Sequence, residues 1–179
     1  EIVVEGGGEF RIFTFQWTDP SAQVQGSTGP DTDIDVALVD QDDNIVAESR
    51  IDNIADGRPF ESLEFTNEAG SEVVLNLVIE RAAGPDPEEV KYVYSGSGYS
   101  VNEYDTLGPT IYGHPMAEGA MAVAAAPFFN TVRYNPNSDP AALEAFSSKG
   151  GIPILFNQSG SPLLTPEMRN KPDVTGTDG

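Results

Sequence analysis

The chain has 179 residues, nine Lys or Arg against twenty-nine Asp or Glu, a formal net charge of −20 and no cysteine. The length suits one domain, or a small domain plus part of another. The charge repels nucleic acid and anionic membrane surfaces, so neither is a principal partner. The missing thiols exclude disulfides, thiolate metal ligands and a cysteine nucleophile. No apolar run approaches the ~20 residues that a membrane helix needs. The acidic surplus reads either as the solvated surface of a secreted or salt-adapted protein or as clusters awaiting Ca²⁺. The sequence opens on Glu1-Ile2-Val3-Val4 with no leader peptide in view, which reads as an expression boundary or an internal cut.

From residue 1 to about 105 the hydrophobic pattern has period two, with turn signals roughly every eight to fifteen residues. Phe10 to Trp17 is rich in aromatic and β-forming residues, and Gly26 to Pro30 breaks the pattern. Ile34, Val36 and Leu38 then share one face of a strand, Asp40 to Asn44 is a polar turn, and Ile45-Val46-Ala47 returns as the hairpin partner. Leu63 and Phe65 alternate with Glu64. Val73, Leu75, Leu77 and Ile79 make the clearest buried stripe, and Lys91-Tyr92-Val93-Tyr94 closes the set after the Gly84-Pro85-Asp86-Pro87 turn. Nothing here has helical period. Roughly six to eight short strands of this kind predict a mainly β fold, an antiparallel β-sandwich of jelly-roll type over residues 1–105.

From residue 106 to 179 Ala, Gly and Pro rise, and the alternation gives way to the small-residue run Ala117 to Ala126. Loops around Pro136, Pro153, Pro162 and Pro166 would not make a compact core alone. Ile154-Leu155-Phe156 and Leu163-Leu164 predict a hairpin across Asn157 to Ser161, with Gly160 supplying a positive φ.

Three segments of this region stand in a telling order: Thr110-Ile111-Tyr112-Gly113-His114-Pro115-Met116 running on to Ala126, then Phe146-Ser147-Ser148-Lys149-Gly150-Gly151, then Lys171-Pro172-Asp173-Val174. Together they resemble the subtilisin-like serine protease family, in the stretch between its oxyanion-hole asparagine and its nucleophilic serine. The resemblance implies a partial α/β subtilisin-like segment over 106–179. The strand pattern of 1–105, with Asp33-Ile34-Asp35-Val36-Ala37-Leu38-Val39-Asp40 and its following turn, looks like the pre-peptidase or convertase-style jelly rolls. Such a sandwich would be inserted in the catalytic domain ahead of the Gly-His-Pro segment. On this resemblance the chain is a non-catalytic part of a secreted subtilisin-like endopeptidase. Its partners would be the rest of the catalytic domain and the protein or peptide substrates of the parent enzyme. Thr175-Gly176-Thr177 departs from the family's Ala-Pro-Gly continuation.

No catalytic role carries over to a residue of this chain. His114 is the only histidine, yet Pro115 follows it where the family's catalytic histidine opens a helix, so the resemblance implies a structural turn. Ser147 and Ser148 lie in a scaffold loop rather than in a Gly-Thr-Ser-Met-Ala segment, and Gly96-Ser97-Gly98 is a turn rather than a nucleophile elbow. Asn102 and Asn130 are not in an oxyanion-type turn, and Asp173 is expected to fix local backbone. No metal site is assigned and no cofactor is implied. Asp33, Asp35 and Asp40 are candidates for a calcium rim, against turn capping and a solvated acidic edge. An EF-hand loop from Asp40 fails, because Ile45 takes the glycine position and Ile51 the bidentate one.

The alternative function is a free-standing secreted binding module for a glycan or protein, with or without calcium. It would use Tyr92, Tyr94, Tyr99 and Tyr104 as a sugar platform, unless these tyrosines are half-buried packing residues. It predicts a complete fold with no unsatisfied strands after Thr106.

Overall fold

The period-two segments become strands of one curled antiparallel sheet. The computed structural model describes residues 1–179, which divide into two compact units: Glu1–Asp105 with Phe156–Leu163, and Thr106–Leu155 with Leu164–Gly179. In the first unit the strands are β1 (Ile2–Trp17), β2 (Asp33–Val39), β3 (Ile45–Ser49), β4 (Phe60–Thr66), β5 (Val73–Ala83) and β6 (Val90–Val101). Their order is β3-β2-β5-β1-β4, with β6 on the free side of β1. All pairs are antiparallel.

Two strands are long enough to change neighbours, and this curls the sheet until it nearly closes. Residues 2–4 of β1 pair with Val73–Leu75 of β5, whereas residues 9–16 pair with β4. From Asn76 onward β5 pairs with β2 instead. The bend in β1 falls at Gly6-Gly7-Gly8. Gly7 has a φ of 78°, and a Cβ on Gly8 would lie 2.6 Å from the Gly98 carbonyl oxygen, so the close approach of β6 requires glycine there. Buried Asn67 fastens the corner, its Nδ2 donating to the carbonyls of Val4, Glu5 and Ser71 at 2.9–3.0 Å.

Inward-facing residues of the curled sheet form one core: Ile2, Val4, Phe10, Ile12, Phe15 and Trp17 of β1, with Ile34, Val36 and Leu38, Leu63, and Leu75. Each large side chain so enclosed stabilises the fold by about 1.5–3 kcal/mol relative to an exposed one. The expected stripe on β5 is shorter than its sequence suggests. Leu75 is buried and Val73 and Leu77 pack on the core, but Ile79 is 44% exposed: β1 pairs with β5 only at Val73–Leu75 and leaves that edge of β5 open beyond it. On β3 only Ala47 packs inward, and Ile45 and Val46 face solvent. A single helical turn, α1 (Asn53–Asp56), joins β3 to β4. Asp52 caps it by accepting the Ala55 N–H at 3.0 Å, and Gly57 ends it with a φ of 78°.

The second unit contains a parallel pair, β7 (Val123–Pro127) and β10 (Val174–Asp178), in register Val123 to Val174. Strands β8 (Ile154–Phe156) and β9 (Pro162–Glu167) form a hairpin whose tip, Phe156–Leu163, belongs to the first unit and turns at Gly160 with a φ of 74°. Two 3₁₀ turns, His114–Met116 and Phe128–Asn130, complete it. The partial α/β arrangement implied by the family resemblance is present only as the parallel strands, with no α-helix packed on them.

Candidate functional site: the laced parallel strands

Strand β7 is built from small residues, so other backbone segments can approach it closely. Ala122, Ala124 and Ala126 are buried. Three cross-connections then tie it to the rest of the unit.

The first is made by the Lys171-Pro172-Asp173 segment that leads into β10. The Lys171 side chain is only 4% exposed; its Nζ donates to the Ala120 carbonyl and, at 2.8 Å, to Asp173 Oδ2. The same carboxylate oxygen accepts the Ala122 N–H at 2.7 Å, and the Asp173 N–H donates to the Ala122 carbonyl at 2.9 Å. The Lys171 bond first, then the Ala122 N–H, hold the Asp173 carboxyl below the usual carboxylate range. An ammonium taken from water and held by a carbonyl and a carboxylate is a fastening, with no free lone pair for chemistry.

The second connection is the Phe-Ser-Ser loop. Ser147 Oγ accepts the Ala125 N–H at 3.1 Å, and the Ala125 carbonyl accepts the Glu144 N–H at 2.9 Å. Ser148 Oγ meets Thr110 Oγ1 at 2.5 Å and accepts the Thr110 N–H at 3.1 Å. Both hydroxyls are engaged by backbone, and neither contacts His114, which sits exposed in its 3₁₀ turn.

The third joins the Gly-His-Pro segment to the Gly-Gly end of that loop. Ile111 bridges Gly151 in parallel, with Ile111 N–H to Gly150 O at 2.8 Å and Ile152 N–H to Ile111 O at 3.1 Å. A Cβ on Gly151 would fall on the Met116 sulfur, so this position has no room for a side chain. The three segments that are far apart in sequence are thus physically laced around β7. What the strand pair lacks is cover: Val123 is 60% exposed and Val174 46%, and Met121, Phe128, Phe129 and Tyr134 are also exposed.

The calcium candidates occupy separate settings. Asp33 Oδ1 accepts the Asn53 N–H at 3.1 Å, and Asp35 Oδ2 pairs with Arg50 at 3.0 Å. Asp40 Oδ1 caps its own turn by accepting the N–H groups of Asp42 and Asn44, both at 2.9 Å. Seven residue steps along β2 separate Asp33 from Asp40, about 23 Å at ~3.3 Å per residue. No three His, Asp or Glu side chains converge on one point.

Nor do the tyrosines form a flat platform. Tyr92 stacks on Phe15 at 10°, Tyr94 is tilted 40° from Tyr92, and Tyr99 stands at 84° to Tyr94. All three are half-buried on the core, and burial pushes each hydroxyl's pKa up. Tyr94 donates to Asp105 Oδ2 at 2.7 Å. Tyr104 stands apart, almost wholly exposed.

A buried polar cluster in the first unit was not anticipated. Glu61 on β4 is 0% exposed, and its carboxylate accepts from Ser49 Oγ of β3, from the Ile51 N–H at 3.1 Å and from Asn53 Nδ2 at 3.0 Å. Buried Asn53 also accepts the Ile34 N–H of β2 and donates to the Phe60 carbonyl. These bonds bridge the two end strands of the sheet, where no backbone ladder runs. Burial raises the Glu61 pKa, opposed by the bonds from Ser49, Asn53 and Ile51. The signal was legible: Glu61 shares the parity of Leu63 and Phe65, which places it on the inner face.

No family model, curated protein or solved structure matches the chain.

Proposed function

We propose that this chain is scaffold from a secreted subtilisin-like serine endopeptidase: a β-sheet unit over 1–105 inserted in the catalytic domain, followed by a strand-and-loop part of that domain. The parent cleaves peptide bonds by serine acyl transfer, with residues outside this sequence. The first unit shapes access to the cleft or holds a protein substrate beside it. The second unit pairs with the remaining strands of the catalytic domain.

The observation that carries this reading is the lacing of β7. The three family-like segments are bonded to one another: Ser147 reaches Ala125 of β7, Lys171 and Asp173 reach Ala120 and Ala122 just before it, and Ser148 and Ile111 join the Thr110–Ile111 end to the Phe-Ser-Ser loop. Parallel strands are stable when covered on both faces and extended at the edges, and two of them alone are neither. Exposed Val123 and Val174 are what such a pair leaves when its neighbours are supplied from elsewhere. The same exposure weighs against a free-standing module, which calls for a finished fold after Thr106, and the splayed tyrosines weigh against a sugar platform.

The test is serine-directed fluorophosphonate labelling, together with the flanking gene sequence. The chain alone should stay unlabelled. A version extended through an upstream His-Gly-Thr-His-like motif and a downstream Gly-Thr-Ser-Met-Ala segment should label. Labelling of the chain alone, or a gene with neither motif, overturns the proposal.

A further inference from the structure

The hairpin turn between β8 and β9 carries a modification motif that the protease reading does not use. Of all the asparagines in the sequence only Asn157 is followed, two residues on, by Ser or Thr, and the residue between is Gln158 rather than proline. Asn-x-Ser with a non-proline centre is the acceptor pattern for N-linked oligosaccharide on a surface loop of a secreted chain.

The turn's geometry suits that chemistry. Asn157, Gln158 and Ser159 are exposed, and the next residue, Gly160, is buried against Ser27, where a Cβ would come within 2.6 Å of the Ser27 Cβ. The motif therefore faces outward while the residue behind it anchors the turn. Asn157 Oδ1 accepts the N–H groups of Ser159 at 2.9 Å and Ser161 at 3.0 Å, and the Asn157 N–H donates to the Ser161 carbonyl at 2.9 Å. All the turn's bonds to the side chain fall on its oxygen, which leaves Nδ2 and the Ser159 hydroxyl without a partner in the fold. A sugar on Nδ2 breaks none of these bonds.

We infer that Asn157 is an acceptor site for N-linked oligosaccharide. The donor is a lipid pyrophosphate-linked oligosaccharide: its C1–O bond to phosphate breaks, the Nδ2–C1 bond forms, one Nδ2 proton passes to the transferase's base, and the lipid pyrophosphate leaves. No oxidant or reductant is needed. The inference rests on the secreted placement in the proposed function, because the donor faces the secretory lumen.

The chain is expressed behind a heterologous secretory leader in a eukaryotic host. Its intact mass is read before and after peptide N-glycosidase, from medium and cell lumen alike. One oligosaccharide is expected, and its enzymatic removal should leave Asp at position 157. Ser159→Ala should abolish the modification with an unchanged melting temperature, since it removes no bond of the turn. Ser159→Thr should retain it. An unmodified chain in both fractions, or sugar that persists in Ser159→Ala, overturns the inference. Failure of the fluorophosphonate test, with sugar still on Asn157, would sink the protease reading and leave this site standing.

Discussion

Glu61 offers the most decisive perturbation of the first unit. Replacing it with Ala removes the acceptor for the buried Asn53 Nδ2 and the part-buried Ile51 N–H, and frees the Ser49 hydroxyl. A buried donor left unsatisfied costs about 1–3 kcal/mol and a part-buried one less, so the two together cost roughly 2–4 kcal/mol. Set against a total stability of about 5–15 kcal/mol, that is a large fraction. At ~4–8 °C per kcal/mol for a unit of this size, the melting temperature should fall by about 10 °C or more. Glu61→Gln keeps an oxygen where Oε1 accepts both donors and places an amide N–H₂ where Ser49 Oγ can accept, so its cost should be well under that of Ala. The two variants also separate charge from hydrogen bonding. Burial raises the Glu61 pKa, so the folded state holds its proton more tightly than the unfolded chain does. This group's contribution is therefore fully present below the unfolded value of about 4.3 and is lost as pH rises through the folded value. Glutamine does not titrate, so Glu61→Gln should gain stability relative to the parent between pH 4 and pH 7. Thermal melts of the three proteins at both pH values decide the matter. Equal losses for Ala and Gln, or a Gln-to-parent difference that does not change with pH, would refute this account of the seam.

Lys171→Met should cost about 1–3 kcal/mol, less than the ~3–5 kcal/mol for a fully buried pair, because Asp173 is 36% exposed. In that variant the Asp173 titration, followed by NMR, should move up toward the ordinary value of about 3.9, and the stability that Asp173 now loses as pH falls through its depressed value should no longer be seen. Gly84→Ala forces a side chain into a φ of 81° with its Cβ on the Asp31 carbonyl oxygen, and should lower the melting temperature by several degrees, at about 1–3 kcal/mol of strain. Because Asp33, Asp35 and Asp40 lie in separate settings, melting curves in Ca²⁺ and in chelator at matched ionic strength should superimpose. With a net charge of −20, raising the salt should itself raise the melting temperature by screening self-repulsion.

How much of this was legible follows from the range of each signal. Alternation is local, so the strands at Ile34-Val36-Leu38 and Leu63-Phe65, and the hairpin turn with Gly160, can be read directly from the residues. Where a strand outruns its partners is not local. Ile79 continues the alternation of Val73, Leu75 and Leu77, and it is the departure of β1 after Leu75 that leaves it facing water. The length of β1 was hidden for a related reason: Gly6-Gly7-Gly8 looks like a break in sequence, yet serves as a bend within one continuous strand held by Asn67. Glu61 was overlooked although its parity was right, since a carboxylate on an inner face is expected only when its donors are known. Those donors come from Ser49, Ile51 and Asn53, whose approach the pattern does not reveal.

The second unit reverses this balance. It has almost no alternation to read, and its order comes from specific side-chain bonds at long separation: Lys171 and Asp173 reach back to Ala120 and Ala122, and Ser147 reaches Ala125. A run of alanines makes a poor core by itself, because each buries little apolar area. It makes a good strand where other backbone must come close, and that is how β7 is used beside β10 and the Phe-Ser-Ser loop. Small residues on β7, a buried ammonium on the approach to β10 and exposed valines on both strands describe a parallel pair tightly bonded along the backbone and open on its faces. Under the proposed function that open face is where strands from the rest of the catalytic domain would supply the cover that a parallel pair needs.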